Sequence, residues 1–310
     1  MIKTVTMNPA VDKTVEIDDF RTGTVNRISS LRLDAGGKGI NVSKTIKAME
    51  GSSIATGILA GSTGEYIRSY LEQKGIANDF VFINGETRTN VKVVDRLNRT
   101  NTDINEPGPV VSFEDLSLLE KKIFRDLDRE SILILSGSIP SNISKDIYRE
   151  WIERAQRAGA RVLLDSDGEL LREGIKASPF LVKPNINELE RLFGRKLDSM
   201  EKIVEAAESL LEAGIEMAAI SLGADGAVFA EGNRVIYAEG LKVDVKSTVG
   251  AGDAMVAALA LSLQRGYSLE RAVTLSTAAG AANVATFGTQ PPGLEDIMRH
   301  EGQVRFSCLK

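Results

Sequence analysis

The chain has 310 residues, 43% hydrophobic and 26% charged, the balance of a globular protein that buries a large core without staples. One cysteine (Cys308) excludes a disulfide framework, one histidine (His300) excludes a multi-histidine metal site, and a net charge of −5 without a Lys/Arg block argues against a nucleic-acid surface. No segment approaches the roughly 20 apolar residues that span a bilayer, and MIKTVTMNPAVD holds no signal-length apolar run, so no membrane partner and a cytoplasmic location are expected. His300 lies in the polar stretch MRHEGQ and reads as a surface residue, so chemistry here falls to carboxylates, Lys, Arg, backbone amides and a hard cation.

In chain order, IKTVTM reads as a buried strand, and GGKGINVSKTIKAME as a turn into a helix with Val42, Ile46 and Met49 on one face. TVEIDDF (14–20), RISSLRL (27–33), DFVFI (79–83) and NVKVVD (90–95) have short strand character without intervening helices. These two separated pairs predict a small sheet beside the main body, a lid or clasp. The polar, turn-rich DRLNRTNTDINEPGP (95–109) predicts a surface loop rejoining the core. Leu116, Leu119, Ile123 and Leu127 then recur at helical spacing, with Ser112 as the N-cap. SILILS (131–136), ARVLLD (160–165), PFLVK (179–183) and EMAAIS (216–221) are continuous apolar runs, expected for strands buried on both faces. Helical patterns separate them: Ile147, Trp151, Ile152 and Ala155 mark one, and SMEKIVEAAESLLEAG (199–214) marks another, ending on a glycine. Strand–helix alternation at this spacing predicts a parallel sheet covered on both faces. DAMVAALALSLQRG and SLERAVTLSTAAGAANVAT predict two closely packed, buried C-terminal helices.

Two glycine clusters stand out. In STVGAGDAM (247–255), small residues open a helix, and Asp253 sits in its first turn. Asp253 is read either as a helix cap or as a proton acceptor beside exposed amides at the positive end of a helix dipole, an anion site. Neither common nucleotide fingerprint is present: Met255 stands where a third glycine would be needed, and Gly39 rather than Ser or Thr follows Lys38. In AGGKGINV (35–42), the glycines permit close backbone approach, Lys38 can meet an anion and Asn41 a hydroxyl; a tight turn with a solvated lysine explains the same residues.

Together, GGKGINV and STVGAGDAM resemble the two signatures of the PfkB-type, ribokinase-like carbohydrate kinases. TMNPAVD, GETRTNVKV (85–93), LSGSIP (135–140), KPNINE (183–188) and SLGADGA (221–227) follow in the family's order over essentially the whole chain. The resemblance implies a ribokinase-like, three-layer α/β/α fold with a mostly parallel central sheet plus a small β-sheet lid. Residues 1–310 would form one kinase domain, with lid strands from about 12–33 and 79–106 inserted into the α/β core. It implies ATP and Mg²⁺, with Asp253 the base and Gly250, Ala251 and Gly252 the anion hole. Asp12, Gly37, Lys38, Gly39 and Asn41 would form the sugar pocket, Arg88 would hold a substrate phosphate with Asn90 assisting, and Ser138 would line the site near the transferred group. Lys183, Asn185, Ser221, Gly223 and Gly226 would approach the nucleotide, and Glu188 would position Mg²⁺. Plainer structural roles stand beside three of these: a surface arginine at Arg88, a hairpin turn at SLGADGA, a first-turn acid at Glu188. Asp165 and Asp167 follow an expected strand, where such sheets put ligands, but a turn role explains them, and Arg27 is read as a second phosphate partner or an edge-strand charge. The branch most resembled phosphorylates hexose monophosphates, fructose 1-phosphate first and tagatose 6-phosphate second. A non-catalytic sugar-phosphate sensor on the same fold is the reading from another class. A homodimer through the β lid is the expected assembly.

Overall fold

The computed structural model describes all 310 residues. In chain order the elements are β1 (Ile2–Thr6), β2 (Ala10–Ile17), β3 (Ser30–Gly36), α1 (Lys38–Ala48), β4 (Ile54–Ala60), α2 (Gly61–Gln73), β5 (Ala77–Asn78), β6 (Val81–Ile83), β7 (Arg88–Asp95), β8 (Thr100–Asn105), α3 (Phe113–Phe124), β9 (Ile132–Ser136), α4 (Ile147–Arg157), β10 (Arg161–Asp165), α5 (Gly168–Ile175), β11 (Leu181–Val182), α6 (Ile186–Phe193), α7 (Met200–Glu212), β12 (Met217–Ser221), β13 (Ala227–Glu231), β14 (Arg234–Ala238), α8 (Ala251–Arg265), α9 (Leu269–Val284), α10 (Leu294–Glu301) and β15 (Phe306–Cys308).

The apolar runs became the centre of an eleven-stranded sheet ordered β15-β14-β13-β12-β11-β10-β9-β1-β4-β5, with β6 also on β4. From β12 to β5 every pairing is parallel, and β13, β14 and β15 close one edge antiparallel. Side chains alternate across it: Leu133 and Leu135 of β9 join the core under α3 to α7, while Ile132 and Ile134 join the core under α1, α8, α9 and α10. Both faces are therefore dry, and the fold is the three-layer α/β/α sandwich that the resemblance implies. Helix α4 shows how the first layer is built. Ile147, Tyr148, Trp151, Ile152 and Ala155 line its buried face, Trp151 Nε1 donates to Glu120 at 3.0 Å, and its ring meets Phe124 edge-on. Truncating such a residue to alanine costs about 3–5 kcal/mol. Ser112 caps α3 in a capping box with Asp115, as its position predicts. No helix is long and apolar enough to cross a membrane.

The second sheet has four strands, β3-β2-β7-β8, in which two hairpins join through the parallel pair β2–β7. Two expectations about it are corrected. Residues 79–83 do not enter it: β6 runs parallel to β4 in the main sheet, with Val81 and Ile83 buried. The fourth strand is instead β8, within the stretch expected to be a loop. All six of its residues are exposed, so no alternation marks it, and it is held by its ladder to β7. Register sorts the sheet into two faces. Lys13 and Val15 pair with Leu33 and Leu31 on one side and with Val91 and Val93 on the other, and Val91 pairs with Ile104. That face is largely apolar, and its Leu31, Leu33 and Ile104 are exposed. The opposite face carries Asp12, Thr14, Arg32, Asp34 and Asn90 and turns toward the body, where Arg32 lies over the Phe287 ring.

Candidate active site

Parallel strands end together, so one edge of the main sheet collects the residues at or just past the carboxyl end of each strand. Thr6 (β1), Ser136 (β9), Asp165 (β10), Lys183 after β11 and Ser221 (β12) all lie there. Open α/β sheets bind ligands at this edge. Helices α1 and α8 also begin there, α1 from Gly37 and α8 from Gly250, and neither has a side-chain cap. Their first-turn N–H groups are therefore free of side-chain partners at the positive end of each helix.

Asp253 does not cap its own helix. Its Oδ2 accepts a hydrogen bond of 2.8 Å from Nδ2 of Asn41, on α1. The carboxyl is only 5% exposed. Burial, joined by the charge of Asp165, pushes it up to about 6, against the lowering pull of Lys38, Asn41 and Lys183. Desolvation thus outweighs the helix dipole, which favours the ionised form by only about 0.3–1 kcal/mol at surface sites.

Asp165, which the sequence offers as a turn residue, is the electrostatic hub. Its Oδ1 lies 3.1 Å from Lys38 Nζ and 3.5 Å from Lys183 Nζ, while its buried Oδ2 has no hydrogen-bond partner. Burial pushes this carboxyl up, but Lys183 and Lys38 overcome it and hold it below the usual range. Burial works to lower the Lys38 ammonium, but Asp165, Asp253 and Glu188 together hold it above the ordinary lysine value. Lys183 stands against the amide rim of α8: a Cβ on Gly252 would lie 3.0 Å from its Nζ.

On the polar face of the small sheet, Asn90 Nδ2 donates to Asp12 Oδ1 at 3.1 Å, as their register requires. Burial raises the Asp12 carboxyl against the lowering pull of Asn90, Lys44 and Arg88. Arg88 is no free surface arginine. Its Nε and Nη2 donate to the Asn8 carbonyl at 3.2 and 3.0 Å, and its Nη1 to the Glu106 carbonyl at 3.3 Å. It has no carboxylate partner, and of its five N–H donors two remain uncommitted. Gly37 and Gly39 have a packing reason to be glycine. A Cβ on Gly39 would meet the Val5 carbonyl oxygen at 2.8 Å, and one on Gly37, at φ 118°, would meet Thr6 Cγ2 at 2.7 Å. Arg27 is exposed in the turn between β2 and β3, not on an edge strand.

At the far end of the row, Asn185 pairs with Ser221 in an isolated parallel bridge. Asn185 and Glu188 form a capping box: Asn185 Oδ1 accepts from Glu188 N at 2.9 Å, and Glu188 Oε2 accepts from Asn185 N at 2.8 Å. The plainer role of Glu188 is thus observed, with one carboxylate oxygen left over. SLGADGA is a hairpin turn joining β12 and β13 through one 3₁₀ turn. Gly226 is fixed by packing, since a Cβ would meet Ala238 O at 2.0 Å, whereas nothing lies within 4 Å of Gly223. Ser138 is exposed just past the end of β9.

Asp165 was noted at the carboxyl end of an apolar strand and set aside as a turn residue, and Lys44 escaped the sequence reading altogether. Lys44 lies inside INVSKTI on α1, between buried Ile40 and Ile46, and it is 3% exposed.

The family model for pfkB family carbohydrate kinases matches residues 5–297. The 1-phosphofructokinase of Borreliella burgdorferi is 38% identical over 283 residues, 91% of either chain. That of Bacillus subtilis is 38% identical over 282 residues, covering 91% of this chain and 92% of its own. The solved structure of phosphofructokinase-2 from Escherichia coli in complex with substrates and products superposes with a TM-score of 0.93 at 30% identity, over 97% of this chain and 98% of that one. With its signature residues gathered at one sheet edge, the chain belongs to the pfkB family of carbohydrate kinases.

Proposed function

We propose that the chain transfers the terminal phosphoryl group of ATP to the free primary hydroxyl of a hexose monophosphate, with fructose 1-phosphate as substrate and fructose 1,6-bisphosphate as product. One observation carries the reading: a buried carboxylate, Asp253, held by a neighbouring helix beside the uncapped start of its own. Two 1-phosphofructokinases at 38% identity support the choice of sugar.

In this reading Asp253 accepts the proton of the sugar hydroxyl, whose oxygen bonds to the γ-phosphorus as the bond to ADP breaks. A carboxyl near 6 is ionised at pH 7 yet more basic than an ordinary aspartate, which suits a general base. The amides of Gly250, Ala251 and Gly252 and the Lys183 ammonium take up charge on the moving phosphoryl group. Asp12, Asn41, Asn90 and the Gly37–Lys38–Gly39 turn hold sugar hydroxyls, with Ser138 beside the transferred group. Arg88 offers its two remaining donors to the phosphate already on the sugar. Asn185, Ser221, Gly223 and Gly226 serve the nucleotide.

Mg²⁺ keeps its waters and binds largely through substrate phosphates; Glu188, with one carboxylate oxygen outside its capping box, would be the protein's contribution, and the ion would neutralise phosphate charge. The small sheet serves as a lid of the single kinase domain, its polar face covering the sugar and excluding water. Its exposed apolar face, with Leu31, Leu33 and Ile104, supports a homodimer through the lid. A kinase that draws on ATP works where ATP is, so the cytoplasm is the compartment implied.

ADP release with Mg-ATP, measured on fructose 1-phosphate, tagatose 6-phosphate, fructose 6-phosphate, ribose and no sugar, tests the reading. Fructose 1-phosphate should give the highest kcat/KM. A preference for tagatose 6-phosphate replaces the sugar, and a preference for ribose overturns the phosphosugar assignment.

A further inference from the structure

Lys44 has no place in the chemistry above, yet it is a cation sealed inside the protein. Its Nζ donates to the Ala35 carbonyl at 2.8 Å, to Asn41 Oδ1 at 3.0 Å and to Thr289 Oγ1 at 3.3 Å. Those three bonds use all three ammonium protons, and none goes to a carboxylate. The Tyr70 ring lies 5.8 Å away. Burial pushes this ammonium down to about 8, although Asp34 (β3), Asp12 (β2) and Asp253 (α8) face it and pull the other way. A buried cation held by neutral acceptors is costly, and a methionine would fill the space more cheaply.

What the charge does is visible at Asn41. A carboxamide can present either its oxygen or its nitrogen to a neighbour. An ammonium only donates, so the Lys44 side must receive Oδ1; Nδ2 is then left for Asp253 Oδ2, where it stands at 2.8 Å. The consequence appears once the base has taken up a proton. A neutral carboxyl can donate, and a free carboxamide could swivel to receive that proton on its own oxygen. With Lys44 occupying Oδ1, Asn41 remains a donor in both protonation states. Oδ2 of Asp253 then stays engaged, and Oδ1 is the oxygen that meets the substrate.

We propose that Lys44 is a positioning residue for phosphoryl transfer: its ammonium fixes the Asn41 carboxamide, and through it aims the Asp253 carboxylate. This rests on the reading of Asp253 as the base. Asp165 (β10), Lys38 (α1) and Lys183 (after β11) are the other charges that set the titration of Asp253.

The test is a double-mutant cycle on the full chain, with kcat and KM measured from pH 5 to 9 for Lys44→Met, Asn41→Ala and the pair. Lys44→Met should lower kcat about tenfold, leave the sugar KM within about twofold, and move the acid limb of kcat upward, because Asn41 no longer steadies the ionised carboxylate. In the Asn41→Ala background the same substitution should cost kcat nothing further, and any movement of the limb that persists there measures the direct through-space effect of the Lys44 charge on Asp253. Thr289→Val, which removes another Lys44 partner without touching Asn41, should leave the limb in place. If Lys44→Met does not fold, Lys44→Arg carries the cycle, since it keeps the charge but displaces the donors from Asn41. A Lys44 defect that multiplies with that of Asn41→Ala, or an unmoved limb, overturns the proposal. Asp253→Asn run alongside separates the two failures: turnover surviving there removes the base itself, whereas additivity in the cycle removes only the relay.

Discussion

Helices α1 and α8 begin side by side, each after glycines and each without a cap, yet their charges are opposite. Helix α1 starts with Lys38, the wrong sign for the positive end of a helix; α8 carries Asp253 in its first turn, the favourable sign. In both, the helix dipole loses to the surroundings. Lys38 is held charged by Asp165, Asp253 and Glu188, and Asp253 is pushed toward its neutral form by burial and by Asp165. The glycines differ too. Those of α1 let the helix press against β1, while Gly252 faces a lysine side chain. The glycines of α1 thus have a packing reason to be glycine, whereas Gly252 meets only the end of a flexible side chain.

The sharpest way to break this comparison is Asp253→Asn. The substitution keeps shape and a partner for Asn41 but removes the proposed base, so kcat should fall by about 10²–10⁴-fold with KM values nearly unchanged, read by ADP release. A non-catalytic sensor would be indifferent. Next come the glycines. Gly39→Ala puts a methyl 2.8 Å from a backbone carbonyl oxygen that cannot step aside, so it should destabilise by about 1–3 kcal/mol in urea unfolding. Gly252→Ala meets only the end of a flexible lysine, at 3.0 Å. It should change stability by less than about 1 kcal/mol, and lower kcat about tenfold by displacing Lys183. If Gly252→Ala unfolds the protein while Gly39→Ala only slows it, the two roles have been assigned to the wrong helices.

That division was only half legible beforehand. The strands, the helices between them and the order of the motifs are readable from apolar runs and spacing, because a strand buried on both faces has no polar alternation to confuse it. What the sequence did not disclose depends on distant partners. The exposed β8 exists through its ladder to β7, and β6 was drawn into the main sheet by β4. Asp165 looked like a turn residue because nothing nearby in the chain announces the two lysines that meet it, one of them 127 residues away. Glu188 was read both toward a metal and as a first-turn acid, and its place in the capping box of α6 accounts for the second, a local pattern the sequence already contained. The glycines of α1 were read both as a ligand turn and as a tight strand–helix turn, and the end of β1 packed against them accounts for the second.

The smallest expected effect is on stability, and its sign sharpens the contrast between the two helix starts. The Asp253 carboxyl has an ordinary value of 3.8 and is raised to about 6 in the folded chain. Between those values the folded protein holds a proton that the unfolded chain has released. This group's contribution is therefore fully present below pH 3.8 and is lost as pH rises through 6, so above pH 6 the ionised carboxylate weighs against the fold. Asparagine carries no such charge. Asp253→Asn should then melt a few degrees higher than the parent at pH 7–8, with the gap closing as pH falls toward 4, in thermal scans across that range. The inactive variant would be the more stable one, as expected where a carboxylate is kept in an unfavourable place for its chemistry. A variant that instead melts lower at pH 8 would mean that the attraction of Lys38 and Lys183 outweighs the desolvation of Asp253, and that the carboxylate is there to hold the helices together.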